Sequence, residues 1–180
     1  MRGRIVIVTG PPGTGKSTAA ETAAWASDME KSICIRTDDF YHHLKKGAIP
    51  PHLPESDAQN GVVIEAFLAA AKRFAEGGYD VYIDGIVGPW FLKPWIQMAK
   101  EGYEVHYIVL RASREETEKR AAERSKLDPK TNAELVAAMW EPFCGLGKYE
   151  AYVMDTTKQT AAETAAAIKA CVRSGENRIR

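Results

Sequence analysis

Short runs of apolar, β-branched residues alternate along the chain with longer stretches in which apolar residues recur at helical spacing. The short runs predict five strands, at residues 4–9, 32–37, 79–84, 103–110 and 151–155. The stretches between them predict helices at 16–27, from near 57 to the glycines at 77–78, and at 91–101, 115–124 and 161–172. Because strands and helices alternate throughout, we expect a parallel sheet with helices on both faces. Ligands of such folds bind beyond the carboxyl ends of the strands.

Two of the predicted helices begin with the spacing of a capping box, in which two residues three positions apart satisfy each other's backbone N–H groups. Ser56 with Gln59 and Ser113 with Glu116 have this spacing. We therefore expect one helix to begin near Asp57 and another just after Ser113.

Composition narrows the class of protein. A chain of 180 residues that is 45% apolar predicts one globular domain over residues 1–180. Acidic and basic residues balance at 24 each, so no overall field favours a nucleic acid or an anionic membrane. Three dispersed cysteines without a C-x-x-C pair argue against a disulfide framework or a zinc site, and no run approaches the roughly 20 apolar residues that span a bilayer. We expect a cytoplasmic monomer or weak dimer with a small-molecule partner.

The segment GPPGTGKS, residues 10–17, matches G-x-x-x-x-G-K-[ST] without substitution and lies between a predicted strand and a predicted helix. Its glycines let the backbone turn N–H groups onto phosphate oxygens, and the helix adds its positive N-terminal end. We expect Lys16 to reach the β- and γ-phosphates and the Ser17 hydroxyl to bind Mg²⁺. The predicted ATP site consists of Gly10, Pro11, Pro12, Gly13, Thr14, Gly15, Lys16, Ser17 and Thr18.

A phosphate-binding loop alone does not separate kinases from GTPases and motor ATPases. The chain has no guanine-reading N-K-x-D segment, and its length leaves little room for the extra helical domain of an AAA-type ATPase. We therefore expect a compact phosphotransferase.

Carboxylates follow two of the predicted strands. Asp38 and Asp39 end the second strand, and Asp84 ends the third. Phosphoryl transfer to a hydroxyl needs a carboxylate that orients the acceptor and takes its proton. We expect Asp84 to lie near the Mg²⁺ ion, and at least one aspartate of the pair to act as the base or to contact Mg²⁺. The pair also suits a helix start, since aspartate is a favoured N-cap and an acid in the first turn interacts well with the helix dipole.

A charged helix and a polar loop at about residues 114–130 predict a short lid. Arg120 and Arg124 are four residues apart and share a helix face, where their repulsion must be offset either by Glu116 or by an anion such as the γ-phosphate. We expect at least one of them to act on the γ-phosphate and prefer Arg124, because it borders the loop. The alternative for Arg120 is the adenine side of the site or a role in holding the helix.

Residues 40–60 contain several prolines, which exclude a regular helix or central strand, and a loop of this length usually has a function. We expect the phosphate acceptor to bind over this segment and over residues 85–90. The candidate acceptor contacts are Asp39, His42, His52, Gln59, Asn60 and Trp90. We assign Trp25, Trp95, Met139 and Trp140 to packing.

The order of these features resembles the small-metabolite kinases among the P-loop proteins, which include chloramphenicol phosphotransferase, gluconate and shikimate kinases and polynucleotide 5′-kinases. The resemblance implies a three-layer P-loop fold with sheet order 2-3-1-4-5, a loop at 155–160 that passes the adenine, and transfer of the γ-phosphate of ATP to a hydroxyl. TDDFYHH resembles the DSF and DDY segments of the phosphotransferase and the polynucleotide kinase, which makes Asp38 the base and a Mg²⁺ contact. It also resembles GDFLH of gluconate kinases, which would align Asp39 and His42 instead. We favour Asp38.

Comparison with adenylate kinases bears on the charge of the acceptor. That family places an arginine in its TGDxLR segment, where this chain has His42. It places a second arginine in its DGFPR segment, of which this chain keeps only Asp84 and Gly85. Because arginine forks usually bind a phosphate, we expect an uncharged hydroxyl compound or a sugar acid. One alternative is a nucleoside monophosphate kinase that binds the acceptor phosphate through Arg36, Lys45 or Lys46. Another is a nucleotide-binding regulatory protein with little turnover.

Overall fold

A computed structural model describes residues 2–51, 53–123 and 136–180. Its five strands form one parallel sheet in the order β2-β3-β1-β4-β5. The strands are β1 (Ile5–Thr9), β2 (Ser32–Arg36), β3 (Asp80–Asp84), β4 (Val105–Arg111) and β5 (Val153–Asp155). The predicted fold class and strand order are confirmed, and every strand boundary lies within two residues of its predicted position.

Seven helical segments surround the sheet in the described part of the chain. They are α1 (Lys16–Trp25), α2 (Thr37–His42), α3 (Asp57–Glu76), α4 (Lys93–Lys100), α5 (Arg114–Glu123), α6 (136–140) and α7 (Ala161–Ser174). Short 3₁₀ turns lie at Pro54–Ser56, Pro89–Phe91, Glu141–Phe143 and Gly147–Tyr152. The sequence pattern did not predict α6, and it indicated α2 only as a helix start at the aspartate pair. None of the described helices is long and apolar enough to cross a membrane.

The central strand β1 contributes side chains to two separate cores. Ile5 and Ile7 pack with α3 and α4, in a cluster that contains Phe67 and Trp95. Val6 and Val8 point to the other face and pack with α1 and α7. A strand that is buried on both faces explains why the run IVIV is apolar at every position rather than at alternate ones.

Of the two predicted capping boxes, one does not form and the other forms only in part. The Ser56 hydroxyl donates instead to the carbonyl oxygens of Pro51 and Leu53, at 2.9 and 2.7 Å, because the chain folds back before α3. The box of Ser56 and Gln59 is therefore wrong. At α5, the Ser113 hydroxyl accepts the N–H of Glu116 at 3.2 Å, but the Glu116 carboxylate pairs with Arg120 rather than with the cap.

Candidate active site

The phosphate-binding loop runs directly from β1 into α1. Gly10 and Gly13 have φ angles of +136° and +84°. A Cβ atom at Gly10 would lie 2.0 Å from the carbonyl oxygen of Leu110, and one at Gly13 would lie 2.7 Å from that of Thr117. These positions therefore require glycine both for their backbone conformation and for their close approach to β4 and α5.

Side chains of the loop bond within the loop itself. The Thr14 hydroxyl and the Lys16 ammonium both donate to the carbonyl oxygen of Pro11, at 2.9 and 3.0 Å. Lys16 thus folds back over the turn whose N–H groups, with the N-terminus of α1, attract phosphate. The loop has the shape and the positive charge that a nucleotide phosphate site requires.

Asp84 ends β3 beside the phosphate-binding loop, opposite Val8 in the sheet register. Only 6% of the residue is exposed. Burial raises the pKa of Asp84, a hydrogen bond with Ser17 and the charge of Lys16 lower it, and the charge of Asp38 raises it again. The Asp84 carboxylate therefore bonds to Ser17 and interacts electrostatically with Lys16 and Asp38.

The aspartate pair lies in the first turn of α2 and does not cap it. The N-cap position is Arg36, whose side chain makes no capping hydrogen bond. The expectation that one aspartate caps the helix is therefore wrong. The physical reason is that β2 ends at Arg36 and α2 begins at Thr37, so no loop residue remains for a cap. Both carboxylates still lie at the positive end of the helix.

Asp38 and Asp39 have different neighbours. The charge of Asp38 raises the pKa of Asp84 and also contributes to raising that of Tyr41, after burial. Asp39 lies 3.9 Å from the imidazole of His42, one turn along α2, and both of these side chains are exposed. Asp38 is therefore the aspartate that we group with Asp84.

The side-chain oxygens beside the phosphate-binding loop suit a metal ion that a nucleotide brings with it. Within the described residues, no group of three or more His, Cys, Asp or Glu side chains could hold a metal ion. Mg²⁺ in nucleotide sites is usually bound by one or two carboxylates together with substrate phosphates and water. The Ser17 hydroxyl beside the buried Asp84 carboxylate, with Asp38 nearby, fits that kind of site.

A small cavity of about 40 Å³ lies beyond the carboxyl ends of β2 and β3. It adjoins the first turn of α2, so it is next to the aspartate pair. None of the side chains that line it carries a charge, and most are apolar. They are Thr37, Tyr41, Ile64, Phe67, Ile86, Val87, Phe91 and Trp95.

The segment that follows β3 is attached to the central strands by three hydrogen bonds. The N–H of Gly85 donates to the carbonyl oxygen of Val8 at 3.4 Å, and the N–H of Val87 donates to the Thr9 hydroxyl at 2.8 Å. The Tyr107 hydroxyl donates to the carbonyl oxygen of Val87 at 2.8 Å. Thr9 directly precedes the phosphate-binding loop, so one wall of the cavity and that loop are attached to the same strand.

Gln59 and Asn60 hold the 40–60 segment rather than face the cavity. The Gln59 amide bonds to both backbone groups of Ile49, at 2.8 and 2.7 Å. The Asn60 amide donates to the carbonyl oxygen of Pro51 at 2.9 Å and to the Ser56 hydroxyl at 2.8 Å. Both side chains thus bond to the 49–56 segment, and neither is among the residues that line the cavity. His52 lies outside the described residues.

The aromatic residues of the cavity differ from those that the sequence indicates. Trp90 is half exposed and packs edge-on against Phe143, with ring centroids 5.4 Å apart, and it does not line the cavity. Its neighbour Phe91 and the fully buried Trp95 do. Trp95 packs in the core, as the sequence predicts, and its indole brings an N–H donor there.

Arg120 bonds to the loop that follows β5. Its Nε donates to the Glu116 carboxylate at 2.8 Å, and its guanidinium donates to the carbonyl oxygens of Thr156 and Thr157 at 3.1 and 3.2 Å. In this structure it holds α5 to the 155–160 loop, and its contact with the γ-phosphate stays a prediction. Arg124, with residues 124–130 of the predicted lid, lies outside the described residues.

Solved structures with the same fold cover nearly the whole chain. The APS kinase of Mycobacterium tuberculosis, solved in complex with AMPPNP and APS, is 17% identical over 96% of this chain and 98% of its own, with a TM-score of 0.69. The tunicamycin resistance protein of Deinococcus radiodurans is 18% identical over 99% of both chains, with a TM-score of 0.64. A gluconokinase of Sinorhizobium meliloti is 20% identical over 97% and 94%, with a TM-score of 0.61. At these identities the likeness concerns the fold alone.

A family model described as an AAA domain matches residues 5–143, which is more than half of the chain. No curated protein matches at a significant level. The family match includes β1, the phosphate-binding loop and both carboxylate segments. The chain belongs to this AAA-domain family of P-loop proteins, and its fold is that of the P-loop kinases.

Proposed function

We propose that the protein is an ATP-dependent phosphotransferase that moves the γ-phosphate of ATP to a hydroxyl of a small molecule. The observation that carries this proposal is the position of Asp38 between two sites. Asp38 directly follows Thr37, which lines the cavity, in the first turn of α2. Its charge also acts on Asp84, which bonds to Ser17 of the phosphate-binding loop. A carboxylate between a phosphate site and an acceptor cavity is where a phosphotransferase needs its base.

On the donor side, the loop from Gly10 to Thr18 holds the phosphates with its N–H groups and with Lys16. Ser17 and Asp84, with Asp38 near them, would hold Mg²⁺. When bound, this ion neutralises the charge that develops on the β- and γ-phosphates.

On the acceptor side, Asp38 orients the hydroxyl and accepts its proton. The hydroxyl oxygen forms a bond to the γ-phosphorus as the bond from that phosphorus to the β–γ bridging oxygen breaks, and ADP leaves with the electron pair. We assign Arg124 to the γ-phosphate and Arg120 to positioning the loop beside the adenine.

The structure favours an uncharged acceptor over a nucleoside monophosphate. Arg36 is paired with Glu21 at 3.0 Å, and the Lys45 ammonium donates to the carbonyl oxygen of His42 at 3.0 Å. Two of the three cations that could replace the missing arginines therefore have other partners, and the cavity has no charged lining residue.

The adjacent aspartates provide a matched pair of variants, Asp38→Asn and Asp39→Asn. ADP release is first screened across sugars, sugar acids, nucleosides, nucleoside monophosphates and aminoglycoside-type and phenicol alcohols. With a responsive acceptor, Asp38→Asn is expected to lower kcat by about 10²- to 10⁴-fold while ATP affinity stays nearly unchanged, and Asp39→Asn to change kcat only a few-fold.

One outcome would contradict the choice of Asp38 as the base, and another would contradict the kinase proposal itself. If Asp39→Asn loses turnover and Asp38→Asn keeps it, Asp39 with His42 is the functional pair, as in the gluconate kinases. If no acceptor stimulates ADP release although ATP binds tightly, the protein is a nucleotide-binding regulator and the kinase proposal is wrong.

A further inference from the structure

The walls of the cavity are built from stacked and edge-packed aromatic rings. Phe67 and Trp95 stack with centroids 6.1 Å apart and planes 23° apart, and Phe40 packs edge-on against Phe67 at 5.8 Å. Ile64 and Ile86 complete the apolar lining. Such walls favour an apolar occupant, because charged groups lose their hydration there without gaining a partner.

One buried polar group at this cavity has no partner. Trp95 is completely buried, and its indole N–H makes no hydrogen bond with any of residues 2–51, 53–123 and 136–180. A buried donor without an acceptor is costly and rare in folded proteins. Trp95 is also one of the residues that line the cavity.

The other polar groups of the lining are neutral as well. Thr37 and Tyr41 contribute hydroxyls from α2. Burial and, secondarily, the charge of Asp38 raise the pKa of Tyr41, so its hydroxyl keeps its proton at neutral pH. The lining thus combines three uncharged donor groups with a majority of apolar side chains.

We propose that this cavity binds the uncharged, apolar end of the phosphate acceptor, and that this end carries an oxygen which accepts the N–H of Trp95. The inference rests on the proposed function and names the substrate class: an alcohol whose far end is a small apolar group with a carbonyl or ether oxygen. A cavity of about 40 Å³ holds such a group rather than a whole metabolite. The reacting hydroxyl then stays outside it, next to Thr37 and Asp38.

Three alcohols of nearly equal size test the inference. They are para-acetylbenzyl alcohol, para-isopropylbenzyl alcohol and para-(hydroxymethyl)benzoate, which differ only in whether the far end carries a neutral oxygen, no oxygen or a charge. For the wild-type protein, we expect KM for the acetyl compound to be about tenfold below that for the isopropyl compound. We expect the benzoate to be the poorest acceptor of the three.

Trp95→Phe keeps an aromatic ring and removes the N–H, so it should bring the ratio of the two KM values close to one. Trp25→Phe is the matched control, because Trp25 is 86% exposed and should leave the ratio unchanged. If Trp95→Phe does not fold, the wild-type comparison alone decides. Equal KM values for the acetyl and isopropyl compounds, or a preference for the benzoate, would overturn the inference and leave the kinase proposal standing.

If no alcohol is phosphorylated, binding separates the two proposals. Thermal shifts with each alcohol are then measured in the presence of Mg²⁺ and AMPPNP. A larger shift with the acetyl compound than with the isopropyl compound supports the cavity assignment even though the phosphotransferase proposal has failed. Equal shifts, or a larger shift with the benzoate, overturn the cavity assignment too.

Discussion

Gly85, directly after β3, lies close to Thr37 at the start of α2. This contact predicts the effect of adding one methyl group at position 85. A Cβ atom at Gly85 would lie 2.0 Å from the Thr37 hydroxyl oxygen and 2.9 Å from the Thr37 Cβ. Ordinary van der Waals contact is at roughly 3.5 Å, so in Gly85→Ala the start of α2 must move by roughly 1 Å or more. Overpacking of this kind costs about 1–3 kcal/mol, which lowers Tm by roughly 2–12 °C for a chain of this size.

The same displacement should affect activity, because the residue after Thr37 is Asp38. A shift of about 1 Å in a positioned group can reduce turnover about 100-fold. Removal of the Thr37 hydroxyl and methyl groups in Gly85→Ala/Thr37→Ala removes the contacts at 2.0 and 2.7 Å and leaves the 2.9 Å approach of the two Cβ atoms. We therefore expect the double variant to regain part of the lost Tm and kcat, measured by thermal unfolding and ADP release.

Gly61→Ala is the matched control for this prediction. Gly61 lies within α3, and a Cβ atom there would meet nothing within 4 Å. The substitution should raise stability by about 0.5–1 kcal/mol, since alanine favours a helix more than glycine does. The packing account is refuted if Gly85→Ala unfolds at the wild-type temperature, or if Thr37→Ala worsens the loss instead of relieving it.

Two further predictions concern buried titratable groups. Because burial raises the pKa of Asp84, the stability that this residue contributes is full at acid pH and is lost as pH rises through its folded-state pKa. Without ligand at neutral pH, Asp84→Asn should therefore unfold at a higher temperature than the wild type. Its Tm should rise less than that of the wild type when Mg²⁺ and ATP are added. A ligand-free Tm below that of the wild type would contradict this prediction. Burial lowers the pKa of His106 below the ordinary 6.5. The stability that His106 contributes is therefore present above that pH and is lost as the pH falls. Unfolding temperatures should decrease between about pH 7.5 and 5.5 in wild type, and His106→Gln should flatten the decrease; parallel curves would exclude His106 as its cause.

Much of the fold could be predicted from the sequence because its signals are local. The apolar runs predict all five strands, and the phosphate-binding loop is set by glycines that contact backbone carbonyls. Helix starts were less predictable. The Ser56 hydroxyl bonds to a preceding residue, Leu53, instead of capping α3, and neither aspartate caps α2. Which residue caps a helix depends on how the chain before the helix turns. The complete capping box of the structure, Thr160 with Glu163, has the same spacing as the two predicted ones.

The candidate site was predictable where one residue type is chemically required. Ser17 and Asp84 come together because parallel strands end at the same edge of the sheet. The lining of the acceptor cavity was not predictable, since its residues come from four separate segments that meet only in the folded protein. Trp95 illustrates the difference: its position on α4 indicates burial, and only the structure shows that its N–H has no partner among the described residues.

The attachment of the segment after β3 has a consequence for how new substrate preferences can arise. The bonds of Gly85 and Val87 to Val8, Thr9 and Tyr107 involve the main chain of that segment, so they do not depend on which side chains it carries. Ile86 lines the cavity and is only half-buried. Substitutions at Ile86 can therefore reshape acceptor choice while the phosphate-binding loop stays in place. A directed-evolution library confined to this position and to Ile64 would explore new acceptors without putting the phosphate chemistry at risk.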